Sequence, residues 1–474
     1  MAVDYSISFG TSGLRGHANG FTDTAVASYV AAFLEEACAG ARERAVWIGA
    51  DLRASSPVIA RRVAAAVAGS GWTPRYAGVA PTPAVAAFAL RQGVPAIVVT
   101  GSHIPADYNG LKFYRPDGEL LKSDEAPIRA AVEKGSMRLL GAKPDLPPPD
   151  RAVVAAYRKR YREAFVPGVL EGLRIGVFEH SAAGRDLIVE ILEALGAECL
   201  RFGRSADFVA VDTEAVGPGA MSELRTALAA HDLDAVVSTD GDGDRPLVLD
   251  ETGSQINGDV LGALTARALG ARVVVTPLTS TSAIEKSGWF EKVVRTRIGS
   301  PYVVEAMAAE PMSAVGFEAN GGFLVQSSFD LTGGRLDPLP TRDAILPMVA
   351  VLAAGAAGRR PLSALVADLP SRAMKADRLK DIAPDSGGAF VAGMAGNKEW
   401  RAAFARLLAE TEAIDTTDGT RLTLADGSIV HFRQSGNAPE LRCYVEADTI
   451  AAADAMLEML MTRLNDYFDS TVER

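Results

Sequence analysis

Short runs of β-branched and apolar residues alternate along the chain with alanine-rich stretches whose apolar positions recur every three or four residues. The runs at 46–50 (VWIGA) and 96–100 (AIVVT) predict strands, and 56–70 predicts a helix with its Ala/Val face inward. The same pattern returns with a strand at 173–178 (LRIGVF), a helix over 185–195 and a strand at 234–238 (DAVVS). It appears a third time at 272–276 (RVVVT), 281–287 and 312–317 (MSAVGF). Alternation of this kind predicts α/β domains with largely buried sheets. Each pass ends in a polar, glycine-bearing loop: TGSHIPADYNG, STDGDGDR and GFEANGG. Ligands of open α/β sheets gather beyond strand ends, so the three loops are expected to line a common cleft.

Past residue 366 the repeat stops. A helix over 398–411, a hairpin of 420–424 and 428–433 around a DG turn, a strand at 441–446 and a helix over 451–465 predict a separate α+β domain. The stiff stretch KPDLPPP (143–149) marks one linker, and GSQING (253–258) a turn-rich break. The expected division is 1–147, 148–253, 254–366 and 367–474, with the serine-bearing, acidic, Glu/Asn-bearing and Arg-bearing loops in that order.

Hydrophobic content of 48% with 23% charged residues is sufficient for real cores. A net charge of −11 argues against nucleic acid as a partner, and an anionic ligand would require a local basic pocket. Cys38, Cys199 and Cys443 are too few and too scattered for a disulfide framework or a zinc site. The opening MAVDYSISFG has neither a basic start nor an apolar core, and no apolar run approaches the ~18 residues of a membrane span. A cytoplasmic protein without a membrane partner is expected.

TDGDGDRP (239–246) sets Asp240, Asp242 and Asp244 at alternate positions, with glycines that let the backbone curl around an ion. Hard oxygen ligands suit Mg²⁺ or Ca²⁺. An EF-hand is excluded because its sixth position would be Arg245, and the flanks read as strands. In RQSGNAPELR (433–442), Arg433, Ser435, the amides near Gly436 and Asn437, and Arg442 could form a nest for a phosphate, or a glycine turn between strands. GFEANGG places Glu318 and Asn320 where each could bond a sugar hydroxyl, although a plain Asn-Gly turn reads equally well. Arg15 in FGTSGLRG is a phosphate contact or a packed loop arginine, and Ser102 a nucleophile on a turn or a capping hydroxyl.

Together, FGTSGLRG, TGSHIPADYNGLKFY, DGDGDRP, GFEANGG and RQSGNAPELR, in this order, resemble the α-D-phosphohexomutase family over essentially the whole chain. The resemblance implies three α/β domains with mixed sheets and a C-terminal α+β domain around a central cleft. It implies that Ser102 carries phosphate in the resting enzyme, and that Asp240, Asp242 and Asp244 bind Mg²⁺ with a phosphoserine oxygen. Glu318 and Asn320 match sugar-reading positions; Arg433, Ser435, Gly436, Asn437 and Arg442 match the loop that grips the non-reacting phosphate. Lys112 matches the general acid/base candidate, and Arg15, His103 and Arg245 fall on active-site positions.

The implied reaction moves a phosphoryl group between the 6- and 1-positions of a hexose phosphate through a hexose 1,6-bisphosphate, which also serves as activator. In-line placement and charge cancellation dominate such chemistry. Lys112, crowded by Arg15, Arg245, Arg433 and Arg442, is expected to have a lowered pKa and to move the hydroxyl proton, with His103 as competitor. Many relatives have histidine where this chain has Gly322, and some have one where Ser300 follows Gly299, so histidine-assisted steps from that domain are not expected. The motif set is most similar to the bacterial phosphomannomutase branch, ahead of phosphoglucomutases and phosphoglucosamine mutases. A metal-dependent phosphatase would use the same serine but release free phosphate. Oligomeric state is not legible.

Overall fold

The computed structural model describes residues 6–10, 12–135, 145–404, 406, 408–436 and 439–472. The chain divides into two compact units, one of residues 1–275, 290–294 and 299–366, the other of residues 276–289, 295–298 and 367–474.

The first unit is built on three large sheets, beside a two-stranded one of Phe329–Leu331 and Gly334–Leu336. The first runs Ile7–Phe9, Leu14–His17, Tyr108–Arg115, Ala96–Val99, Ala45–Ala50, Thr73–Val79, and Gly118–Glu119 pairs with Tyr108–Arg115. Its centre is parallel, and Ala96–Val99 meets Tyr108–Arg115 antiparallel, so the sheet is mixed. Ala45–Ala50 and Ala96–Val99 are buried throughout, which accounts for their continuous apolar sequence. The second sheet runs Pro246–Leu249, Ala235–Thr239, Arg174–Phe178, Glu198–Phe202. The third runs Lys292–Thr296, Val273–Pro277, Ala314–Phe317, Phe323–Val325, Leu339–Asp343.

In the second unit an antiparallel sheet runs Ala373–Lys380, Glu440–Ala447, Ile429–Gln434, Thr420–Leu424, Thr411–Asp415. Phe390, fully buried, is its hub: the rings of Trp400, Phe404, Phe432, Tyr467 and Phe468 all lie within 5.7 Å of it, centre to centre.

One local expectation changes, and two elements appear that the sequence pattern does not mark. The helix expected over 398–411 stops at Phe404, and Thr411–Asp415 pairs instead as an edge strand with Thr420–Leu424. Ala373–Lys380 (AMKADRLK) is a strand without an apolar run, because it is an exposed sheet edge. Pro384–Gly396 is helical despite four glycines, held by burial of Phe390 and Met394 rather than by propensity.

Candidate active site

Strand Ala96–Val99 delivers the chain into the loop holding Ser102, and Tyr108–Arg115 carries it back. Ser102 is buried with φ 55°, in the left-handed region that non-glycine residues avoid. Such a conformation costs roughly 1–3 kcal/mol and persists only where its surroundings over-determine it. Here they do. The Ser102 N–H donates to Thr100 Oγ1 at 2.8 Å, and its carbonyl accepts from Arg53 Nη2 at 2.9 Å. The same guanidinium donates to the carbonyls of Ile104 (2.6 Å), Pro105 (2.5 Å) and Tyr108 (3.0 Å). Arg53 is in turn held by Asp51 at 3.1 Å and lies 3.9 Å over the Phe208 ring. A Cβ at Gly101 would stand 2.7 Å from the Arg53 guanidinium carbon, so only glycine leaves room for this brace. Ser102 caps no helix; it is presented.

The hydroxyl of Ser102 donates to Asp240 Oδ2, and His103 Nδ1 lies 3.3 Å from it. Asp240 Oδ1 accepts the backbone N–H groups of Asp244 (3.2 Å) and Arg245 (3.3 Å). Asp242 Oδ2 accepts from Thr82 and from Lys112 Nζ, both at 2.5 Å. Asp244 Oδ2 accepts from Lys112 at 2.5 Å and from Arg342 Nε and Nη2 at 3.0 and 2.8 Å. Gly241 lets this loop approach the serine, since a Cβ there would lie 2.8 Å from the Ser102 carbonyl oxygen. One oxygen of each of the three carboxylates lies within 4.8 Å of the others. Asp242 Oδ1 and Asp244 Oδ1 are buried without a hydrogen-bond partner. Leaving buried acceptors unsatisfied is costly, and hard anionic oxygens in this number suit a divalent cation, so the donor set fits one.

The charges differ in character. Burial, then Asp242 and Asp244, push the Asp240 carboxyl well above the usual range. Burial also opposes ionisation of Asp244, but Arg342, Lys112 and Arg245 overcome it and hold that carboxyl well below the usual range. Burial and repulsion from Arg245 and Arg342 lower Arg15 to about 10, partly offset by Asp242 and Asp244, so it stays cationic at neutral pH. Burial, then Arg245, push His103 down to about 4; its imidazole is neutral. Arg245 lies 3.8 Å from Glu214 and 3.9 Å from Asp244. Lys112 departs from expectation. Its ammonium sits between two carboxylates, Asp242 and Asp244, and shares the Asp244 oxygen with Arg342.

The sequence does not point to Arg342, which is buried and joins two loops. Besides Asp244, it donates from Nη1 to Glu318 Oε2 at 2.8 Å. A Cβ at Gly322 would stand 2.6 Å from Arg342 Cδ, so the glycine is what leaves room for the stem of this arginine. Its neighbours are tied as well: Thr341 donates to Glu119 at 2.5 Å, and Asp343 accepts from Tyr157 (2.6 Å) and Tyr161. Asn320 closes its own turn, with Oδ1 accepting the Gly322 N–H at 3.0 Å.

In the second unit, Arg433 and Arg442 face each other in register on adjacent strands. Arg433 pairs with Asp418 at 2.9 Å and Arg442 with Glu440 at 3.4 Å, while Arg442 Nε is buried and unpartnered. The Ser435 N–H donates to the Glu440 carbonyl at 2.9 Å, closing the loop, and a Cβ at Gly436 would meet open space. Asn437 lies outside the described residues. The predicted residues Arg15, Ser102, His103, Lys112, Asp240, Asp242, Asp244, Arg245, Glu318 and Asn320 all belong to the first unit, and Arg433, Ser435, Gly436 and Arg442 to the second.

Four family models match: phosphoglucomutase/phosphomannomutase α/β/α domains I, II and III over residues 6–138, 159–253 and 257–373, and the C-terminal domain over 375–463. A phosphomannomutase of Sinorhizobium fredii is 41% identical over 467 residues, covering 96% of this chain and 98% of its own length. One of Salmonella muenchen is 40% identical, covering 97% and 95%. A solved phosphoglucomutase/phosphomannomutase family protein of Burkholderia thailandensis shares the fold with a TM-score of 0.76 at 20% identity, covering 98% of each chain. Family models over all four segments and relatives of about 40% identity along nearly the full length make this chain an enzyme of the phosphoglucomutase/phosphomannomutase family, a phosphohexomutase.

Proposed function

We propose that this enzyme interconverts the 6- and 1-phosphates of a hexose, with mannose phosphate as the principal substrate, and that Ser102 carries the transferred group. The observation that carries the reading is the strained, braced Ser102 whose hydroxyl meets the buried aspartate loop. Similarity to the two phosphomannomutases supports the choice of sugar.

In this reading, phosphate on Ser102 Oγ passes to the free hydroxyl of a bound hexose monophosphate. The serine O–P bond breaks, the sugar O–P bond forms, and the hydroxyl proton leaves to a base. The resulting hexose 1,6-bisphosphate reorients and returns its other phosphate to Ser102. Neutral His103, 3.3 Å from the serine oxygen, and Asp240, which accepts the Ser102 O–H, are placed to handle the proton. Lys112 between Asp242 and Asp244 balances charge. Asp240, Asp242 and Asp244, with an oxygen at position 102, would hold Mg²⁺, which when bound supplies positive charge against the phosphoryl oxygens. Arg15 and Arg245 supply cations beside them, Glu318 and Asn320 read hydroxyls, and Arg433, Ser435, Gly436, Asn437 and Arg442 hold the phosphate that does not react.

The test is twofold. Intact mass of the purified chain should show one phosphate, lost in Ser102→Ala. Rates with mannose 1-phosphate, glucose 1-phosphate and glucosamine 1-phosphate, primed with hexose 1,6-bisphosphate, should rank mannose first. Free phosphate as the main product would instead make the enzyme a phosphatase.

A further inference from the structure

A second cavity, apart from the serine and aspartate loops, has a volume of about 440 Å³ and lies between helices Thr82–Gln92 and Ala152–Ala164 and the segment before strand Leu339–Asp343. That size falls within the range of small-molecule sites. Phe88, Pro338 and Pro340 give it an apolar wall; Arg91 and Arg160 give it a cationic one. Its acidic residues are already engaged: Glu163 with Lys159 at 3.4 Å, Asp337 with Arg335 at 3.5 Å, and Asp117 with Arg115 at 3.2 Å. Among the described residues, no ion pair joins Arg91 or Arg160 to an acid. In a chain of net charge −11, that is a local surplus of positive charge.

Arg160 carries the argument. Its Nε and Nη2 atoms are buried and, among the described residues, have no hydrogen-bond partner. These two nitrogens share one edge of the guanidinium, the edge that grips a carboxylate or phosphate with parallel hydrogen bonds. Arg342 shows the same edge in use, with both atoms on Asp244. Buried donors without acceptors are rare in folded proteins and destabilising, so the Arg160 edge calls for an acceptor from outside the chain.

We infer that this cavity binds a small organic anion, a phosphate or carboxylate on an apolar body, with Arg160 gripping the anionic head, Arg91 adding charge at the rim, and Phe88 and the prolines covering the body. No residue of the catalytic machinery takes part.

Calorimetric titration of the full-length enzyme with phenyl phosphate and, separately, benzoate tests the assignment, with the catalytic site saturated by hexose 6-phosphate. At least one probe should bind wild type, and Arg160→Met and Arg91→Met should each weaken that binding, the former at least tenfold. The KM for hexose phosphate should not move. Without probe, Arg160→Met should melt no lower than wild type, since it removes a buried charge edge that no described residue satisfies. Absence of binding by either probe to wild type, equal binding by Arg160→Met, or a melting temperature of that variant several degrees lower would overturn the proposal.

Discussion

The aspartate loop and the C-terminal arginine loop handle charge in opposite ways. Around Asp240–Asp244 the charged groups are buried, and Lys112 and Arg342 neutralise Asp242 and Asp244 from within the chain. At the other loop two guanidinia oppose each other across neighbouring strands, an arrangement that repels, and each has one acid at its side. The first is a finished network with two free oxygens. In the function proposed above, the second is finished by an anion. Removing a group should therefore unsettle the first loop and relax the second.

The largest effect is expected at the hydroxyl on which the finished network converges. Ser102→Ala should lower turnover by roughly 10⁴-fold or more while calorimetry still detects hexose-phosphate binding; retained mutase rate would remove the serine from the chemistry. Asp242→Asn should lower kcat by about 10²–10³-fold and flatten its Mg²⁺ dependence together. An unchanged metal profile would mean that the unpartnered oxygens do not hold a cation. Arg433→Gln should raise KM for hexose phosphate roughly 10–100-fold through loss of a charge-assisted contact, with melting unchanged or slightly higher. A large loss of stability there would break the contrast between the loops.

Arg342→Gln sharpens the contrast further, because two shifts of opposite sign are expected. Removing the guanidinium from Asp244 should tighten Mn²⁺ or Mg²⁺ binding measured by calorimetry, while loosening Glu318 should raise KM for the sugar, each by about tenfold, or ~1.4 kcal/mol. A purely structural role would weaken both.

A last effect concerns acid and bears on stability rather than turnover. Burial, opposed by the hydrogen bond with the Thr239 carbonyl, lowers His180 from 6.5 to about 4. Between those values the unfolded chain takes up a proton that the folded chain refuses, so stability present above pH 6.5 is lost as pH falls toward 4. At ~1.4 kcal/mol per pKa unit, this amounts to about 3 kcal/mol. His180→Asn, compatible with the positive φ of 26°, should flatten the slope of denaturant-derived stability over that interval; an unchanged slope would assign the acid sensitivity to other groups.

The loops proposed to react were legible in the sequence because their features are local: glycines, carboxylates and a serine packed into a few residues at strand ends. It did not disclose what braces them. Arg53 reaches the Ser102 carbonyl from 49 positions away, and Arg342 reaches Asp244 across 98. Neither sits in a glycine-rich or acidic run, so no short window marks it. The two carboxylates that hold Lys112 were not foreseen for the same reason, since they lie 130 and 132 positions along the chain. Buried strands were legible from their apolar runs, whereas the edge strands Ala373–Lys380 and Thr411–Asp415, half wetted and polar, were not.

The contact between Gly322 and Arg342 ties two positions into one inherited choice. A side chain at 322 would collide with the Arg342 stem, and displacing the guanidinium would leave Asp244 and Glu318 without the counter-charge they share. Grafting either position alone between family members should cripple the recipient; exchanging both together should not.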